Sequence, residues 1–147
     1  MTEGARRSGR PRRTGIVYLD SSALVKLIVL EPETDALLTF LRSRPAQVTS
    51  RIASVEVARA VARHGAVSPA RAIAVLEHVT LIELDAGIAD RAGSLAPGSI
   101  RSLDAIHLAT AIGLRRDLDA VIAYDARFAA AAEVHGLPVT APRRIGG

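Results

Sequence analysis

Apolar residues fall along this chain in short runs separated by polar, helix-capping clusters, and the alternation predicts strands and helices in turn. The run IVYL at positions 16–19 is β-branched and aromatic, and it ends at Asp20, Ser21 and Ser22, a cluster able to cap a helix. It predicts a first strand and then a helix over residues 22–30. Pro32 stops that helix, and Leu37, Leu38 and Leu41 recur with helical spacing over residues 33–42. A short second strand is expected at 47–49. Over residues 52–63, Ile52, Val55, Ala58 and Ala62 share one face and Arg59 and Arg63 another, before Gly65 closes the helix.

Ser68 and Pro69 open the next helix as N-cap and first helical residue. A strand is predicted at 79–84 and a short helix at 86–95, ended by Pro97 and Gly98. Ser102 is the expected cap of a helix running to residue 116. The run AVIAY at 120–124 predicts a fourth strand, followed by a helix at 126–135 and a brief last strand at 137–140. Strands one and four are continuous apolar runs rather than period-two patterns, as expected where both faces of a parallel sheet are covered. The prediction is an α/β layered fold with a mainly parallel sheet flanked by helices. No internal repeat or linker divides residues 15–147, which are expected to form one domain.

Composition narrows the chemistry. At 147 residues and 49% hydrophobic content, the chain can bury a substantial core. It has no cysteine, which removes disulfides and thiolate zinc sites and leaves carboxylate or histidine ligation. That suits a reducing, cytoplasmic setting. No apolar run approaches the roughly 18 residues of a membrane span, because Lys26 and Glu31 interrupt the longest candidate; no membrane partner is expected.

The first fourteen residues, MTEGARRSGRPRRT, carry five Arg against one Glu and account for the whole formal net charge of +4. The basic balance therefore belongs to a tail, read first as a disordered solvated segment with a nucleic-acid-binding arm as the alternative. The tail lacks the apolar core of a signal peptide. Tyr18, Phe40, Tyr124 and Phe128 are the only aromatics, too few for base-stacking platforms, so any nucleic-acid contact must run mainly through Arg and phosphate.

Four acids stand out by position. Asp20 ends the first strand, Glu56 lies about one turn into the helix after the second, Asp104 follows the Ser102 cap, and Asp125 follows the fourth strand. In open parallel sheets the ligand crevice lies beyond the carboxyl ends of the strands, so all four can reach one edge. Asp104 and Asp125 could instead simply complement helix dipoles. Glu56 is harder to explain that way, because Val55 and Val57 flank it on a largely apolar helix. The remaining acids fall mostly in polar turns or on solvated faces.

Gathering four carboxylates costs on the order of 4 kcal/mol per close pair at an effective dielectric of about 20, so a positive partner is required. A hard divalent cation, Mg²⁺ or Mn²⁺, with oxygen ligands meets that need and can activate water for attack at phosphorus. His107, one turn after Asp104, reads first as a packed core residue and second as a group that orients a carboxylate or contacts substrate. No glycine-rich phosphate loop is present.

The segments YLDSSALVKL, SRIASVEVARAVAR, SLDAIHLATA and AYDARFAAAAEVHGLPV together resemble the PIN-domain ribonucleases, and within them the VapC toxins of bacterial toxin–antitoxin pairs. The resemblance implies a PIN-like three-layer fold with a five-stranded sheet. It also implies an acidic quartet of Asp20, Glu56, Asp104 and Asp125 that binds Mg²⁺ or Mn²⁺, with Ser22 supporting Asp20. Endonucleolytic cleavage of RNA, homodimerisation and neutralisation by a VapB-type antitoxin are implied as well. Arg127, Arg101 and Lys26 are the cations expected to hold RNA phosphates or balance the acids. The basic tail departs from the family, whose members begin almost at the first strand. The rivals are a catalytically silent PIN-like module that binds RNA or protein, and an aspartyl-phosphate phosphatase or receiver. The last two fit poorly, since residues 20–22 lack a second Asp and Lys26 is the only lysine.

Overall fold

A computed structural model describes residues 15–65 and 67–144; the basic tail lies outside the described residues. Five strands, β1 (Ile16–Leu19), β2 (Ala46–Ser50), β3 (Thr80–Ile82), β4 (Leu118–Ile122) and β5 (Val139–Thr140), form one sheet in the order β3-β2-β1-β4-β5. Every pairing is parallel. The helices are α1 (Ser21–Ile28), α2 (Thr34–Arg42), α3 (Ala53–His64), α4 (Pro69–Glu77), α5 (Ala86–Ser94), α6 (Ser102–Gly113) and α7 (Ala126–Val134).

The apolar runs of β1 and β4 are explained by two cores, one on each face of the sheet. Val17 and Leu19 point into a cluster with Leu24, Leu27 and Ile28 of α1, Leu37 and Leu41 of α2, and Val57 of α3. Tyr18 points the other way, among Leu108 of α6 and Phe128 and Ala132 of α7. Fully burying each Val or Leu stabilises the fold by about 1.5–3 kcal/mol, which is why a strand without polar alternation settles at the centre. Gly65 closes α3 at φ 60, a left-handed conformation in which glycine carries no Cβ penalty.

Some boundaries differ from the sequence expectation. β4 begins at Leu118 rather than residue 120, because Leu118 pairs with Ile16 and Ile122 with Leu19. Ala123 and Tyr124 therefore belong to the connection that leads to Asp125. Arg101, not Ser102, takes the N-cap position of α6, and that helix stops at Gly113. Pro69 does sit in the first turn of α4, but Ser68 makes no side-chain cap bond.

Strand order reverses between β1 and β4. From β1 the chain moves outward to β2 and β3, whereas β4 and β5 lie on the opposite side. Loops leaving adjacent strand ends in opposite directions open a crevice at this point. No helix among the described residues is long and apolar enough to cross a membrane.

Candidate active site

Asp20 lies directly at that crevice. Its backbone N–H continues the ladder by donating to the Ile122 carbonyl at 3.0 Å, and its own carbonyl accepts from Ala23 and Leu24 as α1 begins. The carboxylate makes no helix-capping bond, although Asp20 occupies the N-cap position. It accepts instead from Ser22 Oγ at 2.8 Å, and Ser22 Oγ in turn accepts from the Tyr124 N–H at 3.0 Å. One hydroxyl thus ties the end of β1 to the segment after β4. Asp20 is only 3% exposed.

Glu56, in the first turn of α3, is held at both oxygens. Oε2 accepts from Ser21 Oγ at 3.1 Å, and Oε1 lies 2.6 Å from His107 Nε2. His107 Nε2 is also 3.9 Å from Asp20 Oδ1. Asp104 sits half-buried in the first turn of α6. Asp125 is exposed at the N-cap of α7, where Oδ1 accepts from the Arg127 N–H at 3.0 Å. Its capping role is thus real, but the same carboxylate also reaches Asp104 electrostatically.

The charges register one another. Burial raises the Asp104 carboxyl above its ordinary range, and the Asp20, Asp125 and Glu56 carboxylates push it further the same way, against the opposing influence of His107. Asp20 is also raised, chiefly by burial and secondarily by Glu56, while His107 and the Ser22 hydroxyl hold it back. All four acids predicted from sequence therefore share one electrostatic neighbourhood. Among the described residues, no three acidic or imidazole groups close on a single point as a finished ligand cage. Asp20, Glu56 and Asp125 are each held by their own neighbours around the crevice.

The donor set fits a hard divalent cation: carboxylate oxygens only, no sulfur, and mutual repulsion that a positive charge would relieve.

The cations divide. Arg101 and Arg127 are exposed at the starts of α6 and α7, beside Asp104 and Asp125 in the chain. Lys26, expected to hold phosphates or balance the acids, is engaged by two other carboxylates. Its ammonium lies 2.6 Å from Glu31 Oε2 and 3.0 Å from Glu33 Oε2, and 4.9 Å from the Tyr124 ring centre. Two acids assigned to polar turns or solvated faces are thus structural partners.

Ser21 and His107 contact the acids more closely than sequence indicated, and Tyr18 stands behind His107. Among them Tyr18 left a usable signal, since a phenol inside an apolar strand must find a hydrogen-bond partner when buried.

Comparison with known proteins agrees with this fold. The PIN domain family model matches residues 17–134. Ribonuclease VapC46 of Mycobacterium tuberculosis (strain ATCC 25618 / H37Rv) is 46% identical over 126 residues, covering 86% of this chain and 97% of the relative. Ribonuclease VapC47 of Mycobacterium tuberculosis (strain CDC 1551 / Oshkosh) is 36% identical over 135 residues, covering 88% and 99%. Among solved structures, a toxin–antitoxin complex from Klebsiella pneumoniae aligns with TM-score 0.66 and 25% identity over 88% of this chain and 99% of that one. The sarcin-ricin-loop-cleaving toxin VapC20 of Mycobacterium tuberculosis shares the fold at TM-score 0.65 and 14% identity, over 86% and 99%. The chain belongs to the PIN-domain family, among the VapC ribonucleases.

Proposed function

We propose that this chain is the endoribonuclease toxin of a toxin–antitoxin pair and hydrolyses RNA phosphodiester bonds with Mg²⁺, or Mn²⁺ in its place. Asp20, Asp104 and Glu56 are the ligands, directly or through water, and Asp125 completes the site or positions the attacking water. The observation that carries this reading is the placement of the acids at the strand-order reversal, where Asp20 and Glu56 lie 3.9 and 2.6 Å from the same His107 nitrogen and Asp104 and Asp125 open the helices after the neighbouring turns. Bound there, the cation supplies a counter-charge for the phosphate and lowers the pKa of a coordinated water.

The protein's own groups do the rest. Ser22 holds the Asp20 carboxylate toward the crevice through its 2.8 Å hydrogen bond. Ser21 restrains Glu56 from the α1 side. The exposed guanidinium groups of Arg101 and Arg127 are available for backbone phosphates at the mouth of the crevice.

A VapB-type antitoxin and a second copy of the chain are the proposed partners. The antitoxin is supported by the likeness to a solved toxin–antitoxin complex, and the homodimer by family resemblance.

The test is RNA cleavage by the purified chain with Mg²⁺, with EDTA, and after Asp20→Asn. The expected loss in the variant exceeds the roughly 10–100-fold that removing an outer-shell partner of a metal site costs. Equal cleavage by both proteins, or cleavage unchanged by EDTA, rejects the mechanism.

A further inference from the structure

His107 is wholly buried, and both of its ring nitrogens are in use. Nε2 lies 2.6 Å from Glu56 Oε1, and Nδ1 lies 2.6 Å from the Tyr18 hydroxyl. A carboxylate can only accept, so Nε2 carries a proton and donates to it. With its proton on Nε2, the ring leaves Nδ1 as an acceptor, and the Tyr18 hydroxyl donates to it. Tyr18 and Phe128 also meet the imidazole edge-on, with ring centres 5.8 and 6.2 Å away.

The result is a rigid strut running from β1 through α6 to α3. Its phenol end is fixed within the second core, its imidazole is clamped by two rings, and its far end grips the one acid of the quartet with three side-chain torsions. An apolar residue would fill the same space without the desolvation cost of an imidazole. What an apolar residue cannot supply is the hydrogen bond to Glu56.

We propose that His107, backed by Tyr18, is a positioning residue that fixes the Glu56 carboxylate beside Asp20 and thereby sets the affinity of the crevice for a divalent cation. This rests on the reading of Glu56 as a ligand. The imidazole itself touches neither substrate nor cation in this role; it acts through Glu56.

The experiment measures Mn²⁺ binding to the full chain by calorimetry, alongside kcat and KM for RNA, in wild type, His107→Leu, His107→Gln, Tyr18→Phe and Asp20→Asn. His107→Leu is expected to weaken Mn²⁺ binding about 10–100-fold, the range for loss of an outer-shell partner of a metal ligand. KM for RNA stays within a few-fold, and kcat recovers as Mn²⁺ is raised. His107→Gln keeps an N–H where Nε2 donates and restores binding to within a few-fold of wild type. Tyr18→Phe retains the ring, loses only the hydroxyl, and weakens binding by less than His107→Leu; it decides the matter if His107→Leu does not fold.

Wild-type Mn²⁺ affinity in a folded His107→Leu or in Tyr18→Phe overturns the proposal, as does a His107→Gln no better than His107→Leu. These outcomes leave the metal site intact so long as Asp20→Asn still loses binding. Equal Mn²⁺ binding by wild type and Asp20→Asn overturns the metal reading itself, and the strut's role with it.

Discussion

At the scale of single residues, Ser22 does more for the crevice than its size suggests. Its hydroxyl donates to the buried Asp20 carboxylate and accepts from the Tyr124 backbone, so one side chain links the acid to the segment after β4. Ser22→Ala would leave the Tyr124 N–H without its partner and remove the donor that holds down the Asp20 carboxyl. The expected cost is about 1–2 kcal/mol in urea denaturation, typical of an orphaned hydrogen-bonding group. The Asp20 carboxyl should also titrate at higher pH, readable by carboxyl-detected NMR. Ser22→Thr keeps the hydroxyl and should recover both measures. If Ser22→Ala moved neither, the hydroxyl would be only a bystander.

Among the elements, the α1–α2 junction is where Lys26 is engaged. Its ammonium bridges Glu31 and Glu33, and Thr34 Oγ1 donates to the Lys26 carbonyl at 2.7 Å. Arg143 lies 3.7 Å from Glu33, so the C-terminal segment joins the same cluster. Lys26→Met should lower stability by about 1 kcal/mol, the upper end for ion pairs that keep contact with water, and leave RNA cleavage unchanged. The hydrogen bond from Lys26 is the main cause of the lowered Glu33 carboxyl. A lowered acid contributes stability that is present above its ordinary range and lost as pH falls through the lowered value. The wild-type advantage over Lys26→Met should therefore shrink in acid, as urea titrations at neutral and acidic pH would reveal. An advantage that persisted unchanged would mean that packing of the lysine stem, not charge, holds the junction.

The same scale separates what the sequence made legible from what it did not. Strand cores and acids at strand ends were readable, because burial on both faces leaves unbroken apolar runs and chain order puts Asp20 and Asp125 after neighbouring strands. The start of β4 was not, since Asp119 interrupts its apolar run and only pairing with β1 sets the register. Ser102 looked like a cap, but capping depends on backbone geometry that sequence alone leaves open. His107 could not be assigned because its partners, Tyr18 and Glu56, lie 89 and 51 positions away and meet it only after folding. Its burial was the first reading and orienting a carboxylate only the second; that the carboxylate is Glu56 became legible only in the fold.

For the whole molecule, the crevice is a place where stability is lower than it could be. Burial and neighbouring carboxylates raise both Asp20 and Asp104, so the folded state holds these protons more tightly than the unfolded chain does. Where the native state binds more protons, stability falls as pH rises. For these two groups the fall begins in the ordinary carboxylate range, ends above their raised values, and leaves the metal-free protein at its disadvantage throughout neutral pH. Removing one charge should reverse part of it. Metal-free Asp104→Asn is expected to be more stable than wild type at pH 7, with the difference vanishing below the ordinary carboxylate range, where every acid is protonated in both states. Mg²⁺ should act in the opposite sense. A cation that binds only the folded wild type stabilises it by about 2.7 kcal/mol at a concentration 100 times its Kd, and Asp104→Asn should forfeit most of that gain. Thermal melts at pH 4 and pH 7, each with and without Mg²⁺, read both effects from one pair of proteins. An Asp104→Asn variant less stable than wild type at pH 7 without metal, yet equally stabilised by Mg²⁺, would show that Asp104 serves the helix N-terminus rather than a shared cation.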